Sequence, residues 1–327
     1  MGVDYILKIE IGPNEAGQRL DKFLRKLLKD VPLSAIFKSL RKGDVRVNGK
    51  KEKEKYALVQ GDTIEIKYIN SKKDDKANFI KVDATGMKIC FEDKNILVVE
   101  KWPGILVHSD GNKKEATLTD YALSYLNQKG DYIPEDELTF IPAPCNRLDR
   151  NTSGLVLFGK NFEALKMLNE MIRDREVEKY YNTLVKGRIR DGFYSGYILK
   201  NEDTNISKIY DTEVPNSKEI SMEVKTIQTN GAYSFLEINL LTGRSHQIRA
   251  HLAHLGNPLI GDSKYGDKKL NNFFQNKFGL EYQFLYAYKL IIREIGGNLD
   301  YLENKTIVQA LPPMFKKIKT DVFKFSL

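Results

Sequence analysis

The sequence predicts an α+β protein of two domains, a small basic one and then a larger mixed one, and three observations carry that expectation. Between residues 18 and 51, two short stretches with helical spacing of apolar residues run into an Asn-Gly turn. Residues 69–80 are polar and without periodicity, as an exposed linker is. Beyond them, strand-like apolar runs alternate with helical stripes, and 327 residues are enough for two domains and a sizeable core. The expected division is residues 1–68, a linker over 69–80, and residues 81–327.

In chain order, residues 6–11 alternate like a strand and are closed by Gly12-Pro13-Asn14. Leu20, Phe23, Leu24, Leu27 and Leu28 repeat with helical spacing, and a second helix is predicted over 33–40 with Gly43 as its stop. A hairpin follows, turning at Asn48-Gly49, and Gly61-Asp62 introduces a strand over 63–67. Residues 18–51 hold 11 Lys and Arg against 3 Asp, an excess equal to the +8 of the whole chain. Lys38, Arg41, Lys42 and Arg46, on or next to the second helix, suit contacts to phosphates, with a merely solvated helix face as the bland alternative.

Two strands are predicted within 89–101, and residues 105–108 are expected to continue the second beyond Trp102-Pro103-Gly104. A helix is expected over 118–128, and another after Asn161 as its N-cap, with Phe162, Leu165, Leu168, Met171 and Ile172 on one face. Residues 177–185 and 233–241 read as strands, whereas 187–232 read as loops and short strands without chemistry. A helix over 246–255 ends at Gly256-Asn257-Pro258, residues 284–287 are strand-like, and the tail after Pro312-Pro313 closes with a basic helix.

Composition excludes several classes. With 41% hydrophobic and 29% charged residues the chain is neither fibrous nor disordered. No apolar run approaches the roughly 18 residues of a membrane span. The first residues lack a basic segment followed by an apolar one, so a cytoplasmic address is expected, with no membrane partner and a monomeric state. Cys90 and Cys145 are too few for a disulfide framework and read as small core residues. Three histidines lie within 246–254, but none is paired at the i, i+4 spacing of helical ligands, so no metal is expected. Phosphate-binding glycine signatures are missing too, and no cofactor is expected.

The centre of the chain is Arg147-Leu148-Asp149-Arg150-Asn151-Thr152-Ser153-Gly154, followed at once by the apolar run 155–159. A carboxylate between two arginines is favoured in its charged form, which makes Asp149 a candidate nucleophile. Its bland alternative is a turn in which Asp149 and Thr152 bond their own backbone. This segment resembles the signature of the RluA-type family of pseudouridine synthases, and Thr242-Gly243-Arg244-Ser245-His246-Gln247-Ile248-Arg249 resembles a second signature of the same family. The stretch Lys101-Trp102-Pro103-Gly104 is similar to the family's Lys-Pro-x-Gly, with Trp102 between lysine and proline. Residues 16–67 resemble the S4-type RNA-binding domain.

The resemblance implies an S4-type α-plus-β domain ahead of a catalytic domain built on an extended, mainly antiparallel sheet. It implies cofactor-free isomerisation of uridine to pseudouridine in RNA, and the wording is nearest to C-type and D-type members that act on large-subunit ribosomal RNA. Carried over residue by residue, Asp149 is the catalytic aspartate, Tyr181 the tyrosine that lies against the target base, and Arg249 the partner of Asp149. Arg147, Arg244, His246 and Gln247 are implied RNA contacts, Arg147 being placed to fill the gap left by a flipped nucleotide. One departure is Asn146, where many relatives have histidine. Two other classes remain open: an RNA-binding factor without activity, and a glycosidase, which needs a second carboxylate across the bond.

Overall fold

A computed structural model describes residues 6–68, 79–109, 111, 115–293 and 297–324. The expected linker lies outside the described residues up to position 78; Phe79 already packs near Tyr132, and the Ile80 backbone N–H donates to Asp120.

The N-terminal part comprises β1 (Ile6–Glu10), α1 (Leu20–Leu27), α2 (Leu33–Lys42), β2 (Val45–Val47) and β3 (Thr63–Lys67), with an antiparallel sheet in the order β1-β3-β2. Its core is the set that helical and strand periodicity points to: Leu20, Phe23, Leu24, Ile36 and Leu40 against Val45, Val47, Ile64 and Ile66. Gly43 ends α2 at φ 82°, returning its N–H to Ser39 and Leu40. Asn48 and Gly49 both take positive φ, and Val47 and Lys50 exchange two backbone hydrogen bonds. The turn is therefore present, but the returning chain makes no strand, and β2 pairs with β3 instead. Residues 50–55 are all Lys or Glu and have no apolar face to bury.

This part also touches the larger one directly. The Asn14 side-chain amide donates to Glu137 (2.6 Å) and accepts from the Phe162 N–H, Glu15 accepts from the Thr139 N–H (3.1 Å), and Leu138 packs against the N-terminal core.

The larger part runs β4 (Lys88–Glu92), β5 (Ile96–Lys101), α3 (Leu118–Lys129), β6 (Ala143–Pro144), β7 (Ser153–Gly159), α4 (Phe162–Asp174), β8 (Val177–Lys186), β9 (Gly192–Asn201), β10 (Ile206–Tyr210), β11 (Lys218–Thr229), β12 (Tyr233–Leu240), α5 (Gln247–His254), α6 (Lys268–Phe278), β13 (Leu285–Ile292), β14 (Thr306–Val308) and α7 (Pro313–Val322). These strands form an 11-stranded sheet whose main path is β10-β9-β11-β12-β8-β13-β7-β5-β4. Among the described strands every pairing is antiparallel except β13 with β7. Strands β5 and β7 are continuous apolar runs because both faces are covered. Leu97, Val99, Val156 and Phe158 pack with α3, while Ile96, Val98, Leu155 and Leu157 pack with α4.

Two expectations need correction. Residues 105–108 do not extend β5: after Gly104 (φ 92°) the chain turns toward α3, and the carbonyls of Leu106 and Val107 accept from the N–H groups of Leu118 and Thr119. Residues 187–232 hold long strands, β9 of 10 residues and β11 of 12, where short ones were expected. Both leave many positions exposed, so their alternation shows only at Ile198, Ile220, Met222 and Val224.

The parallel contact explains the glycine that closes the Asp149 motif. Gly154 sits at φ 124°, and a Cβ there would lie 2.2 Å from the Ala287 carbonyl oxygen. We expect Gly154→Ala to cost about 3 kcal/mol or more through this clash and the backbone strain, read as a lowered midpoint in denaturant unfolding. An unchanged midpoint would contradict the close approach of β13.

Candidate active site

Asp149 lies on the turn that leads into β7, where its carbonyl accepts from the Thr152 N–H at 3.0 Å. The side chain does not serve that turn. Its Oδ2 accepts from Nη1 of Arg249 at 2.9 Å, and a quarter of the side chain stays exposed.

Arg249 is held from both sides. It projects from α5, whose entry is forced by His246 in the left-handed region at φ 58°. Nε and Nη2 donate to the two oxygens of Asp262 at 2.7 and 2.9 Å, leaving Nη1 aimed at Asp149. Burial opposes the guanidinium charge, but the bonds and charge of Asp262, joined by those of Asp149, outweigh it and raise the Arg249 pKa. Asp262 is fully buried; burial works against its carboxylate too, yet Arg249 and the N–H groups of Tyr265 and Lys264 hold its pKa below the ordinary value. With both its oxygens engaged, Asp262 offers no second carboxylate for glycoside hydrolysis at Asp149.

Tyr181, on β8 between Ile238 and Ala287, is only 5% exposed. Burial first, and then the charge of Asp149, push its hydroxyl pKa upward, so the phenol keeps its proton. Lys101 has no exposed surface at all. Its Nζ donates to the carbonyls of Trp102 (3.1 Å), Ile105 (2.9 Å) and Arg150 (2.8 Å), which ties the end of β5 to the residue after Asp149. Burial draws its pKa down to about 7, while three carbonyl acceptors suit the three-donor ammonium form.

The other residues singled out in the sequence divide. Arg147 and Arg244 are exposed. His246 is half-buried with Nδ1 2.9 Å from the Tyr265 hydroxyl, which in turn accepts from the Ser207 N–H. Gln247 is not available to RNA: it is 2% exposed, accepts from the Thr242 hydroxyl and the Arg244 N–H, and donates to the Ser221 carbonyl. It braces its own loop against β11. Asn146 is likewise spent on the backbone of β7, donating to Leu155 and accepting from Leu157.

Comparison with known proteins gives the arrangement a family. Residues 95–254 match the RNA pseudouridylate synthase family, and residues 18–64 match the S4 domain. The chain is 34% identical over 286 residues to the ribosomal large subunit pseudouridine synthase C of Vibrio vulnificus, covering 85% of this chain and 86% of that protein. The chain belongs to the RNA pseudouridine synthases. A synthase C from Escherichia coli is 33% identical over the same shares of both chains. Human RNA pseudouridylate synthase domain containing 4 shares the fold, with a TM-score of 0.57 at 22% identity over 72% of this chain and 92% of that one.

In this pseudouridine synthase the S4 domain carries Lys38, Arg41 and Lys42 on α2 and Arg46 on β2, all exposed. No described helix is long and apolar enough to cross a membrane. Both cysteines are free and their thiols are pushed up to about 12 by burial. Sequence reasoning missed Asp262 and Lys101 as parts of the candidate site. Lys101 left a readable signal, a charged residue closing the buried run of β5; Asp262 lies within residues 258–266, a stretch similar to the family's in which no local pattern marks it as the partner of Arg249.

Proposed function

We propose that this synthase converts uridine to pseudouridine in large-subunit ribosomal RNA, with Asp149 starting the reaction. The observation that carries the reading is the partly exposed Asp149 carboxylate, 2.9 Å from a guanidinium locked by Asp262 and with its charge felt at the Tyr181 hydroxyl. The substrate class comes from the relatives, which are named for the large ribosomal subunit, and the exposed cations of the S4 domain suit a phosphate backbone.

The chemistry follows from the charges. Asp149 attacks the ribose C1′ or assists removal of a sugar proton; either route breaks the bond from C1′ to N1. The base turns and C5 bonds to C1′ as the bond from Asp149 to C1′ breaks or, on the other route, as the sugar proton returns; the C5 proton then leaves and N1 takes one up. The product is an isomer of the substrate, so no oxidant, reductant or energy source enters the balance. Arg249 holds the carboxylate in position through Nη1 while its other two donors are fixed on Asp262. Tyr181 supplies a ring against the base, which has lost its stacked neighbours after flipping. Arg147 occupies the space the nucleotide vacates or grips a phosphate, with Arg244 and His246 contacting RNA at the opposite loop.

The test is to incubate the purified protein with unmodified large-subunit ribosomal RNA, without added cofactor, and map pseudouridine at nucleotide resolution. Discrete new sites are expected. Salt-sensitive binding without modification would overturn the substrate assignment and favour an RNA-binding factor without activity on that RNA.

A further inference from the structure

We propose that Trp102 is a stacking platform for the base next to the target uridine, an inference that rests on the RNA reading above. Trp102 is the chain's single tryptophan, and it is 36% exposed. Lys101 at the end of β5 pairs with Gly154 near the start of β7, so Trp102 and the Asp149 turn emerge at the same end of the sheet. The two segments are also bonded to each other. The Gly104 N–H donates to the Arg150 carbonyl at 2.9 Å, Arg150 Nη1 reaches back to the Gly104 carbonyl, and the buried Lys101 ammonium grips the carbonyls of both Trp102 and Arg150. The indole is therefore carried on a backbone as rigidly placed as the residue after Asp149.

Its surroundings suit a nucleotide. Tyr121 of α3 meets the indole edge-on, with ring centroids 5.1 Å apart and planes at 90°. Arg147 and Arg150 are exposed on the neighbouring turn, and Arg150 is braced by Glu115 at 2.8 Å. An aromatic surface interleaved with arginines is the combination that holds single-stranded nucleic acid, because every base has a π face and every nucleotide a phosphate. Flipping a uridine strips its neighbour of one stacking partner, and an indole held at the rim of the site replaces it. The competing role for Trp102 is purely structural, as an apolar cover over Tyr121.

The experiment separates the two. Steady-state pseudouridine formation on large-subunit ribosomal RNA is measured for the parent, Trp102→Leu and Trp102→Tyr, alongside thermal unfolding. In the Asp149→Asn background, which keeps Trp102 as the lone indole among 17 tyrosines, the same RNA is titrated against indole emission excited beyond the tyrosine absorption band. Stacking predicts a saturable quench, a rise in KM of roughly ten-fold for Trp102→Leu at an unchanged melting temperature, and recovery of most of that loss in Trp102→Tyr. An active parent whose KM does not change in Trp102→Leu, or a loss that follows the melting temperature and is equal in both variants, overturns the platform. An inactive parent overturns the substrate reading instead, and Trp102 stacking falls with it.

Discussion

Asp149→Asn is expected to lower pseudouridine formation by roughly 10⁴-fold or more while leaving the fold and RNA binding in place, the scale seen when a reacting group is deleted from an otherwise intact site. The amide is nearly the same shape as the carboxylate and its oxygen still accepts from Arg249 Nη1, so the local geometry survives. Lost are the negative charge and, with it, the nucleophilicity and basicity that either route of glycosidic cleavage requires of this oxygen. Arg249 retains both bonds to Asp262, so the guanidinium is not released into the site. The check is a single-turnover rate on large-subunit ribosomal RNA with filter binding and thermal unfolding on the same samples. Parent-like turnover in the variant would remove Asp149 as the reacting group.

Arg249→Met is expected to lose both activity and about 3–5 kcal/mol of stability, because it leaves a fully buried carboxylate without its cation. Methionine keeps the volume, which confines the loss to charge and hydrogen bonds. Arg249→Lys keeps a charge but has no planar fork to satisfy two oxygens of Asp262 and one of Asp149 at once, so partial stability and poor turnover are expected. The pH dependence distinguishes these effects from a packing defect. In the parent, Asp262 has its pKa held below the ordinary carboxylate value of about 4, so its contribution is complete above that value and is lost as pH falls through the lower folded pKa. In Arg249→Met, burial acts unopposed by the guanidinium and lifts the Asp262 pKa above its unfolded value. The slope then reverses, and the variant gains relative stability as pH falls toward 4. Denaturant midpoints measured from pH 7 down to 4 on both proteins report this directly. Parallel curves would show that the charge of Asp262 does not depend on Arg249.

Wherever burial follows local pattern, the elements were legible. The helical stripe of Leu20, Phe23, Leu24, Ile36 and Leu40, the stop at Gly43, the N-cap at Asn161 and the apolar runs of β5 and β7 are all set by residues within a few positions of each other. The long strands β9 and β11 were not, because much of each faces solvent and polar residues blur the alternation. The Asn48-Gly49 turn shows a subtler limit: a strong local signal set the turn, while the choice of partner strand went to β3, which had apolar residues to offer.

The same division runs through the site. By itself, the sequence determined that a carboxylate between arginines precedes a buried strand and that the positive excess gathers in the first domain, while its resemblance to the synthase family implied that a distant arginine belongs with that carboxylate. Only the tertiary structure decided how Arg249 divides its donors between Asp262, 13 residues away, and Asp149, 100 residues away, and that Lys101 braces Arg150 across 49 residues. It also withdrew Gln247 from contact with a substrate by burying it and bonding its amide within the protein, and it tied the Asn146 amide to the backbone of β7. Periodicity records whether a side chain is buried, and that is set by neighbours along the chain. Which donor meets which acceptor is set by the folding of distant segments onto one another, where leaving a buried polar group unpaired costs stability.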